Sequence, residues 1–531
     1  MFCEECGAQL EPGARFCENC GTPVPQEAQI NSSSTTQTVK SDFDLFTFDK
    51  SDWTTAYRNL CIKNQGKETG VIITSLSRLA AQLNCEMSEL QNLIKQYASF
   101  SLAYGVVYTL LNIDNQIVTQ SYSIDVENVV DALKKINAVS KLKYAFILGN
   151  EAVINVAEWT NGAMDNDSCV PSDLAYSTLC IKSPWEGNDY VFEKVLRVGR
   201  LVSYYGEPFL KFSSYFENIM YSPNAFPSNC PYGLSALVWK NETDFEYGRI
   251  FTKQTDSSPY ITKNTVQGCF ENSTNIFYIN LHGSNQTKYW YGQDGDSFPE
   301  AFEPDVFDKL NSPFIVGVEA CYGAKFKGNL TPAESILVKA MQSGCVSFLG
   351  SSMIAYGASQ NPGSCADLVV GEFINQISQG KSAGDSLVLG NMRLSKESAD
   401  FTDTEIKTLA EFALYGDPAY KISYGNQKSS GAKSFSGLAG VRGLYVNIPD
   451  IRSVIKMSLT QVDEKISNAI NAYVNGRYTW TNGIEPETYK MDGKDLFQSI
   501  YKKTGAVDGL DRTVKIYFDQ NGNIKKELES K

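Results

Sequence analysis

Two short apolar segments in the middle of the chain constrain its fold more than any other feature. Residues Ile276–Leu281 read IFYINL, and residues Phe314–Val318 read FIVGV. Runs of this length that are rich in β-branched and aromatic residues are typical of strands buried on both faces of a parallel sheet. Since helices cover the faces of such a sheet, the sequence predicts an α/β fold.

A reactive side chain follows each of these predicted strands. The first strand ends at His282-Gly283, and the second leads to Cys321. Sites in open α/β sheets form beyond the carboxyl ends of the strands, so neighbouring strands would bring the imidazole and the thiol together. Such a pair is the arrangement of an activated cysteine nucleophile. The alternative is a core histidine, but a histidine followed by glycine at a strand end is poorly placed to fill a core.

Composition limits the function classes that this chain can serve. His282 is the only histidine among 531 residues, so any Cys–His chemistry must use it. A net charge of −13 argues against a nucleic-acid-binding body. No segment approaches the roughly 18 apolar residues of a membrane helix, and the first residues, MFCEECGAQ, do not resemble a secretory signal. The thirteen cysteines are mostly isolated in apolar contexts, which is typical of reduced thiols and predicts a cytoplasmic protein.

The first 24 residues contain two Cys-x-x-Cys pairs, each followed by glycine. The cysteines are Cys3, Cys6, Cys17 and Cys20. Four thiolates from two tight turns complete a tetrahedral zinc site. The redox interpretation of Cys-x-x-Cys needs one pair in a βαβ context, which this segment lacks. We therefore expect a structural zinc ribbon, whose closed site has no coordination position left for catalysis.

Local patterns also predict the remaining organisation. A strand near Gly105–Leu111, a helix near Val126–Ile136 and a strand at Tyr144–Leu148 make a β-α-β unit, which requires a parallel sheet with covering helices. Thr331-Pro332 predicts a helix start. We expect five segments: a zinc ribbon (1–24), a flexible linker (25–42), an α/β body (43–423), a second linker (424–437) and a C-terminal α+β accessory domain (438–531).

The C-terminal region offers fewer signals. It contains a helical stretch around Ile451–Val474, and Asn521-Gly522 between alternating arms predicts a β-hairpin. No pattern in the region indicates a functional site. It is interpreted either as a small domain that packs on the body or as a docking module.

With these observations in place, residues 43–423 resemble the gingipain-type cysteine peptidases, which have the caspase-like α/β fold. The resemblance rests on motifs that occur in the same order along the chain: YAFILGN (144–150), PSDLAY (171–176), VGRL (198–201), LHGSN (281–285), EACYG (319–323), GSSMIAYG (350–357) and LYGDPAY (414–420).

The resemblance implies a cysteine-type endopeptidase that acts on proteins or peptides. Cys321 would be the nucleophile, and His282 would act first as base and then as acid for the leaving amine. The backbone N–H groups of Gly283 and Cys321 would form the oxyanion hole. No cofactor would be needed for catalysis, so zinc would serve only the ribbon.

The same resemblance suggests substrate-binding residues. Asp244 corresponds to an acidic residue that selects Arg or Lys at P1, the residue before the scissile bond, and Glu242 to a carboxylate that orients the histidine. Tyr356 could line the P1 pocket. The alternative for Asp244 and Glu242 is a solvated surface acid, and for Tyr356 it is simple packing.

The chain also departs from the family. Familiar members are secreted, with signal and pro-segments and an immunoglobulin-like domain, whereas this sequence has a zinc ribbon and a different C-terminal region. We hypothesise a latent peptidase that a partner or a ligand releases through the ribbon or the C-terminal region, and cleavage at Lys40, Lys428 or Lys433 is one route of release. A second hypothesis is a caspase-like scaffold without proteolysis, whose ribbon recruits protein or nucleic acid. A zinc-dependent hydrolase is excluded because the predicted zinc site is closed.

Overall fold

The structure is a computed structural model, and Leu45–Lys531 form one compact unit in it. The predicted zinc ribbon and both predicted linkers lie outside the described residues. The described ranges are 44–115, 117–118, 121–186, 195–221, 230–270, 274–310, 313–359, 363–398, 401–422, 457–491, 494–507 and 510–531.

The described chain contains the following strands, in order: β1 (Glu68–Thr74), β2 (Val106–Asn112), β3 (Tyr144–Leu148), β4 (Ala157–Thr160), β5 (Cys169–Ser172), β6 (Arg197–Leu201), β7 (Pro231–Ala236), β8 (Asp256–Ser258), β9 (Ile276–Asn280), β10 (His282–Gly283), β11 (Trp290–Tyr291), β12 (Glu300–Phe302), β13 (Phe314–Val318), β14 (Cys345–Ser351), β15 (Tyr356–Ala358), β16 (Phe412–Gly416), β17 (Met457–Leu459), β18 (Glu487–Met491), β19 (Leu496–Val507), β20 (Leu510–Asp519) and β21 (Ile524–Ser530).

The helices are α1 (Trp53–Lys63), α2 (Leu76–Leu83), α3 (Met87–Ala103), α4 (Val126–Val139), α5 (Leu174–Thr178), α6 (Phe209–Tyr221), α7 (Lys240–Phe251), α8 (Ile336–Gln342), α9 (Ala366–Ser378), α10 (Ala383–Glu397), α11 (Asp403–Glu411) and α12 (Glu464–Arg477).

A ten-stranded sheet forms the centre of the body, in the order β2-β1-β3-β6-β16-β14-β13-β9-β7-β8. Neighbouring strands are parallel throughout, except that β14 and β16 are antiparallel. Every residue of β3, β9 and β13 is buried, so both faces of the sheet are covered. The predicted α/β architecture is therefore confirmed, with one antiparallel junction that divides the sheet into two halves of opposite direction.

The start of one predicted helix is wrong. Helix α8 begins at Ile336, where Ser335 accepts a hydrogen bond from the Val338 N–H at 3.3 Å. The Thr331 segment forms a separate turn instead, because the Glu334 carboxylate folds back to accept from the Thr331 N–H at 3.0 Å. The motif at Thr331 is therefore a local turn, and the serine after it caps the helix.

The C-terminal region forms a six-stranded antiparallel sheet in the order β15-β21-β20-β19-β18-β17, with α12 packed against it. The hairpin predicted at Asn521-Gly522 is confirmed, since the Asp519 N–H donates to the Asn523 carbonyl at 3.0 Å where β20 turns into β21. Strand β15 precedes the second predicted linker, so the C-terminal region packs on the body by pairing β21 with it.

Two chemical features concern the whole described part. Among the described residues, no helix is long and apolar enough to cross a membrane. The nine cysteines in these ranges all carry free thiols: Cys61, Cys85, Cys169, Cys180, Cys230, Cys269, Cys321, Cys345 and Cys365.

Candidate active site

The register of β9 and β13 brings the predicted dyad to one edge of the sheet. These neighbouring parallel strands align Ile279 with Val318, and the Glu319 N–H continues the ladder with a 2.9 Å bond to the Ile279 carbonyl. His282 and Cys321 each lie three residues beyond the aligned pair. Equal offsets from a common register bring the two residues to the same edge of the sheet, as expected for adjacent carboxyl ends.

Gly283 permits a close approach between the two strand ends. A Cβ atom at this position would lie 1.7 Å from the carbonyl oxygen of Cys321, which no side chain can satisfy. Strand β10 is held in turn by antiparallel pairing with β11, in which His282 lies opposite Tyr291. The glycine after the histidine is therefore a packing requirement of this site.

The chain turns sharply immediately after the cysteine. Tyr322 has a φ of +53°, a left-handed conformation that is uncommon for a non-glycine residue. Its N–H donates to the Met353 carbonyl at 2.7 Å, and its hydroxyl donates to Asp167 at 2.6 Å. These bonds hold the strained residue, so Cys321 is fixed at the point where strand changes to turn.

Gln293 orients the histidine, and sequence reasoning missed it. The Oε1 atom of Gln293 lies 2.7 Å from Nε2 of His282, and its Nε2 group donates to the Gly295 carbonyl at 2.8 Å. Because the amide nitrogen is committed to Gly295, Oε1 must accept from His282, which places the imidazole proton on Nε2. In the neutral imidazole, Nδ1 is then the unprotonated nitrogen that can accept a proton. A glutamine in an acidic loop carries no sequence signal for this role.

Burial keeps both members of the pair neutral. It lowers the pKa of His282 to about 3; the positive charges of Arg512 and Lys531 add to this effect, and the hydrogen bond that His282 donates to Gln293 opposes it. Burial also raises the pKa of the Cys321 thiol above its ordinary value. The thiol is within 3.5 Å of the Ala355 carbonyl, to which it donates. A thiol and a neutral imidazole are thus the resting forms in this closed site.

Asp244 and Glu242 both lie on α7, and neither is a fully solvated acid. The Asp244 carboxylate accepts from the N–H and hydroxyl of Thr255 at 2.6 and 2.7 Å and forms an ion pair with Lys240 at 2.9 Å. Glu242 is buried, and its negative charge contributes to raising the pKa of Lys531. The structure therefore ties Asp244 to its own helix and its neighbour Thr255, and places Glu242 nearer to the candidate site.

Tyr356 is buried on β15 close to the cysteine. It belongs to the same hydrophobic cluster as Cys321. Its hydroxyl donates to Asp165 at 3.0 Å, and the ammonium of Lys515 lies 4.0 Å from the ring centroid. These contacts are those of a packed core tyrosine, on the strand that pairs with β21.

A buried acidic pair, Glu319 and Asp367, lies near the end of β13, and sequence reasoning did not find it either. Asp367 accepts from the N–H groups of Ala358 and Ser364 through Oδ2, at 2.7 and 2.9 Å. Glu319 accepts from the Tyr278 hydroxyl through Oε1 at 2.6 Å. These bonds fix both carboxylates and leave Oδ1 of Asp367 and Oε2 of Glu319 directed into a common pocket.

The two acids titrate in opposite directions. Burial and the charge of Asp367 raise the pKa of Glu319 well above its ordinary value. The pKa of Asp367 is lowered, because Lys531, a hydrogen bond from Glu319 and the two backbone N–H groups outweigh burial. Opposite shifts of this kind are typical of two carboxyl groups that share one negative charge, which suits a single cation.

The chain's own Lys531 reaches this pocket. The Cys321 N–H donates to the Lys531 carbonyl at 3.0 Å, and the Lys531 N–H donates to the Ala355 carbonyl at 3.0 Å. The C-terminal region, in which no functional site was expected, therefore contacts the candidate nucleophile directly. The missing signal is the pairing of β15 with β21, which no local pattern encodes.

Comparison with known families supports a peptidase. Residues 231–423 match the model of Peptidase family C25, and residues 2–24 match the model of a zinc-ribbon domain. The first match contains His282, Cys321 and Asp367. No curated protein matches the chain significantly.

Solved structures with a similar course of the chain include three proteins. The Arg-specific cysteine proteinase gingipain R is 10% identical, with 88% of this chain and 91% of that chain covered at a TM-score of 0.48. A structure described as a protease is 11% identical, with 88% and 93% covered at 0.47. The Saccharomyces cerevisiae separase–securin complex is 12% identical, with 54% and 16% covered at 0.30.

The family models agree with the motifs found in the sequence. The match to the C25 model covers six strands of the ten-stranded sheet, including β9 and β13, which lead to the two candidate catalytic residues. The chain is a cysteine-type peptidase: its residues 231–423 match the model of Peptidase family C25, and its residues 2–24 match the model of a zinc-ribbon domain.

Proposed function

We propose that this protein is an endopeptidase in which Cys321 is the nucleophile and His282 the proton carrier. One observation carries the assignment: the in-register parallel strands β9 and β13 deliver the chain's only histidine and Cys321 to the same edge of the sheet. The hydrogen bond from His282 to Gln293 supports it further, because it leaves Nδ1 free to accept the thiol proton.

The proposed reaction follows from these positions. As Sγ of Cys321 attacks the scissile carbonyl, Nδ1 of His282 takes the thiol proton, and the carbonyl oxygen becomes an oxyanion. The N–H groups of Cys321 and Gly283 stabilise this charge. His282 then gives the proton to the leaving amine, which leaves a thioester on Cys321. Water activated by His282 hydrolyses the thioester and regenerates the thiol.

We also propose a preference for substrates with a basic residue at P1. The buried pair Glu319 and Asp367 supports it, since one negative charge in a desolvated pocket attracts a cation strongly. Glu242 adds negative potential nearby. Tyr356 supports β15, the strand along which the substrate would lie. Asp244 is bound to Lys240 and Thr255, so it acts by holding α7 in place and does not touch the substrate.

The remaining parts of the proposal concern the setting of the peptidase. The zinc-ribbon match supports a structural zinc held by Cys3, Cys6, Cys17 and Cys20, and a role for the ribbon in recruiting a protein partner. The free thiols of the described cysteines support a reducing cytoplasm. The burial of both dyad residues supports a latent enzyme that must open before it acts.

Removal of either dyad side chain tests this proposal. Peptides with Lys or Arg at P1 and a fluorogenic leaving group are incubated for hours with the wild type, Cys321→Ala, His282→Ala and the control Cys345→Ala. Cys345 is a buried free thiol on β14, so its replacement changes packing without touching the dyad. We expect no turnover with Cys321→Ala, a loss of about 10²–10⁴-fold with His282→Ala, and near wild-type turnover with the control.

Two results would contradict the proposal. Turnover that survives in Cys321→Ala would assign the nucleophile elsewhere. A wild type that stays silent toward every peptide, with a Cys321 thiol shown to be accessible to alkylation, would favour the caspase-like scaffold without proteolysis.

A further inference from the structure

Strand β21 pairs with the body in the way that an extended peptide would. It runs antiparallel to β15, with Ser530 opposite Tyr356 and Glu529 opposite Gly357. The pairing continues through the Lys531 N–H, which donates to the Ala355 carbonyl at 3.0 Å. Addition of a strand to an exposed sheet edge is a common mode of peptide recognition, in which the backbone provides affinity and alternate side chains provide specificity.

The carbonyl group of Lys531 lies where the carbonyl of a bound substrate would lie. It accepts from the backbone N–H of Cys321, the donor assigned above to the oxyanion, at 3.0 Å. A peptide held in this register would present the Lys531 position to the nucleophile. Lys531 therefore occupies the P1 position, and Ser530 and Glu529 occupy the two positions before it.

The Lys531 side chain is buried against the acidic pair. Its ammonium nitrogen lies 3.1 Å from Oδ1 of Asp367 and 3.5 Å from Oε2 of Glu319, and it stands 4.3 Å from the centroid of a Trp239 ring. The side chain has no exposed surface. An ammonium buried so fully is stable only with such partners, which offer a charge and an aromatic face.

Gly357 lies against the far end of the Lys531 side chain. A Cβ atom added there would lie 2.1 Å from Cε and 2.8 Å from Nζ of Lys531. Any side chain at this position would therefore collide with the end of the lysine side chain, and only glycine leaves room for the ammonium group.

We propose that residues 528–531 occupy the substrate cleft of their own peptidase as a tethered substrate-like inhibitor, with Lys531 in a lysine-binding P1 pocket formed by Asp367, Glu319, Trp239 and Gly357. This proposal rests on the proposed function for the role of Cys321. It names the substrate class, which is an extended peptide with lysine at P1. It also identifies the occupant that must leave before such a substrate binds.

Glu529 strengthens the attachment at the third position. The Trp239 indole N–H donates to its carboxylate at 3.2 Å, and the Arg512 guanidinium lies 3.6 Å away. Trp239 thus contacts both Lys531 and Glu529, so a single side chain of the body binds two residues of the C-terminal segment. The alternate residue Ser530 has its hydroxyl turned to the Asp511 carbonyl at 3.2 Å, within the C-terminal region itself.

The first test measures access to Cys321 without requiring turnover. The full-length wild type, Lys531→Ala and the control Lys525→Ala are treated with iodoacetamide, and labelling of Cys321 is followed by mass spectrometry. Lys525 is a half-exposed lysine of the same strand that pairs with Asp519. We expect Lys531→Ala to raise the labelling rate about tenfold or more, and Lys525→Ala to leave it unchanged. Equal rates for wild type and Lys531→Ala would overturn the proposal.

A second variant expels the occupant without altering it. Gly357→Ala would displace the Lys531 side chain and raise Cys321 labelling as Lys531→Ala does. Because the same methyl group blocks an incoming lysine, turnover of a P1-lysine peptide would rise in Lys531→Ala but not in Gly357→Ala. A rise of turnover in both variants would show that lysine does not enter through this pocket and would overturn the assignment.

A peptide added in trans completes the design. The hexapeptide KELESK, identical to residues 526–531, is expected to slow the labelling of Cys321 in Lys531→Ala, whereas KELESA is not. Replacing Asp367 with asparagine in that variant should remove the difference between the two peptides. Equal effects of KELESK and KELESA would contradict the pocket. The labelling experiments test the position of Lys531 even if no peptide is hydrolysed. Absence of hydrolysis in every variant would overturn the proposed peptidase function and would leave the labelling results valid.

Discussion

The protonation state of His282 follows from its burial, and it has a measurable effect on stability. With its pKa lowered from 6.5 to about 3, the folded protein keeps the imidazole neutral while the unfolded chain binds a proton below pH 6.5. The contribution of His282 to the free energy of unfolding is therefore fully present above pH 6.5 and is lost as the pH falls toward 3. The loss between pH 7 and pH 5 is about 2 kcal/mol.

The His282→Gln variant isolates this contribution, because the chain has no other histidine. Urea unfolding of both proteins at pH 5, 6 and 7 should show the wild type losing about 2 kcal/mol relative to the variant. The difference is needed because Glu207 and Asp403, whose pKa values burial raises to about 7, act in the opposite direction and gain stability over the same range. Parallel pH profiles for the two proteins would contradict a buried neutral His282.

At the scale of single residues, the sequence predicts those that are chemically unusual. His282 and Cys321 stand out because one histidine and one strand-end cysteine follow two buried runs. Gln293, Glu319 and Asp367 do not stand out, since acids and amides are common on protein surfaces. Only the folded chain shows that they converge, through contacts between segments far apart in sequence.

At the scale of elements, two motifs quoted from the sequence prove to be partners. Arg200 of β6 donates to both oxygens of Asp173 at 2.9 and 2.6 Å, and to the carbonyls of Gly149 and Ile154 at 2.9 Å each. The guanidinium is fully buried. It thus ties β6 to the turn after β3 and to the start of α5, which no spacing within either motif reveals.

Arg200→Lys should therefore be strongly destabilising. A lysine cannot reproduce the forked pattern of donors, so buried acceptors lose their partners at a cost of about 3 kcal/mol or more. Arg197→Lys on the same strand is the matched control, because Arg197 is partly exposed and makes a single bond to Asp385 through Nε. Urea unfolding midpoints measure the stability of both variants. Equal losses of stability in the two would contradict a special role for the several hydrogen bonds of the Arg200 guanidinium.

Helices and strands could be predicted where the sequence pattern lies within the element itself. Features that depend on contacts between distant segments could not. The strand at Tyr144–Leu148 and the helix at Val126 appear as expected, since their patterns lie within the elements themselves. The antiparallel junction of β14 and β16 depends on how two halves of the body meet. The observed start of α8 lies after the predicted one. Glu334 accepts a hydrogen bond within the Thr331 turn, and Ser335 is the residue that caps the helix.

At the scale of the whole molecule, the zinc ribbon should be separable from catalysis. A closed four-thiolate site has no position for substrate, so its metal serves local folding only. We expect about one zinc per chain by elemental analysis, and its loss in Cys3→Ser combined with Cys17→Ser. Turnover by Lys531→Ala and its melting temperature should be unchanged in that background. A loss of turnover with the zinc would contradict this separation.

The pairing of β15 with β21 sets how the enzyme responds to its surroundings. An inhibitor that belongs to the same chain cannot be diluted away, so the active fraction stays constant at every protein concentration. A substrate would meet a fixed intramolecular competitor, which raises its apparent KM by the inverse of the open fraction. A partner that binds the C-terminal sheet and separates β21 from β15 would activate the enzyme, because it would lower the apparent KM without contacting Cys321.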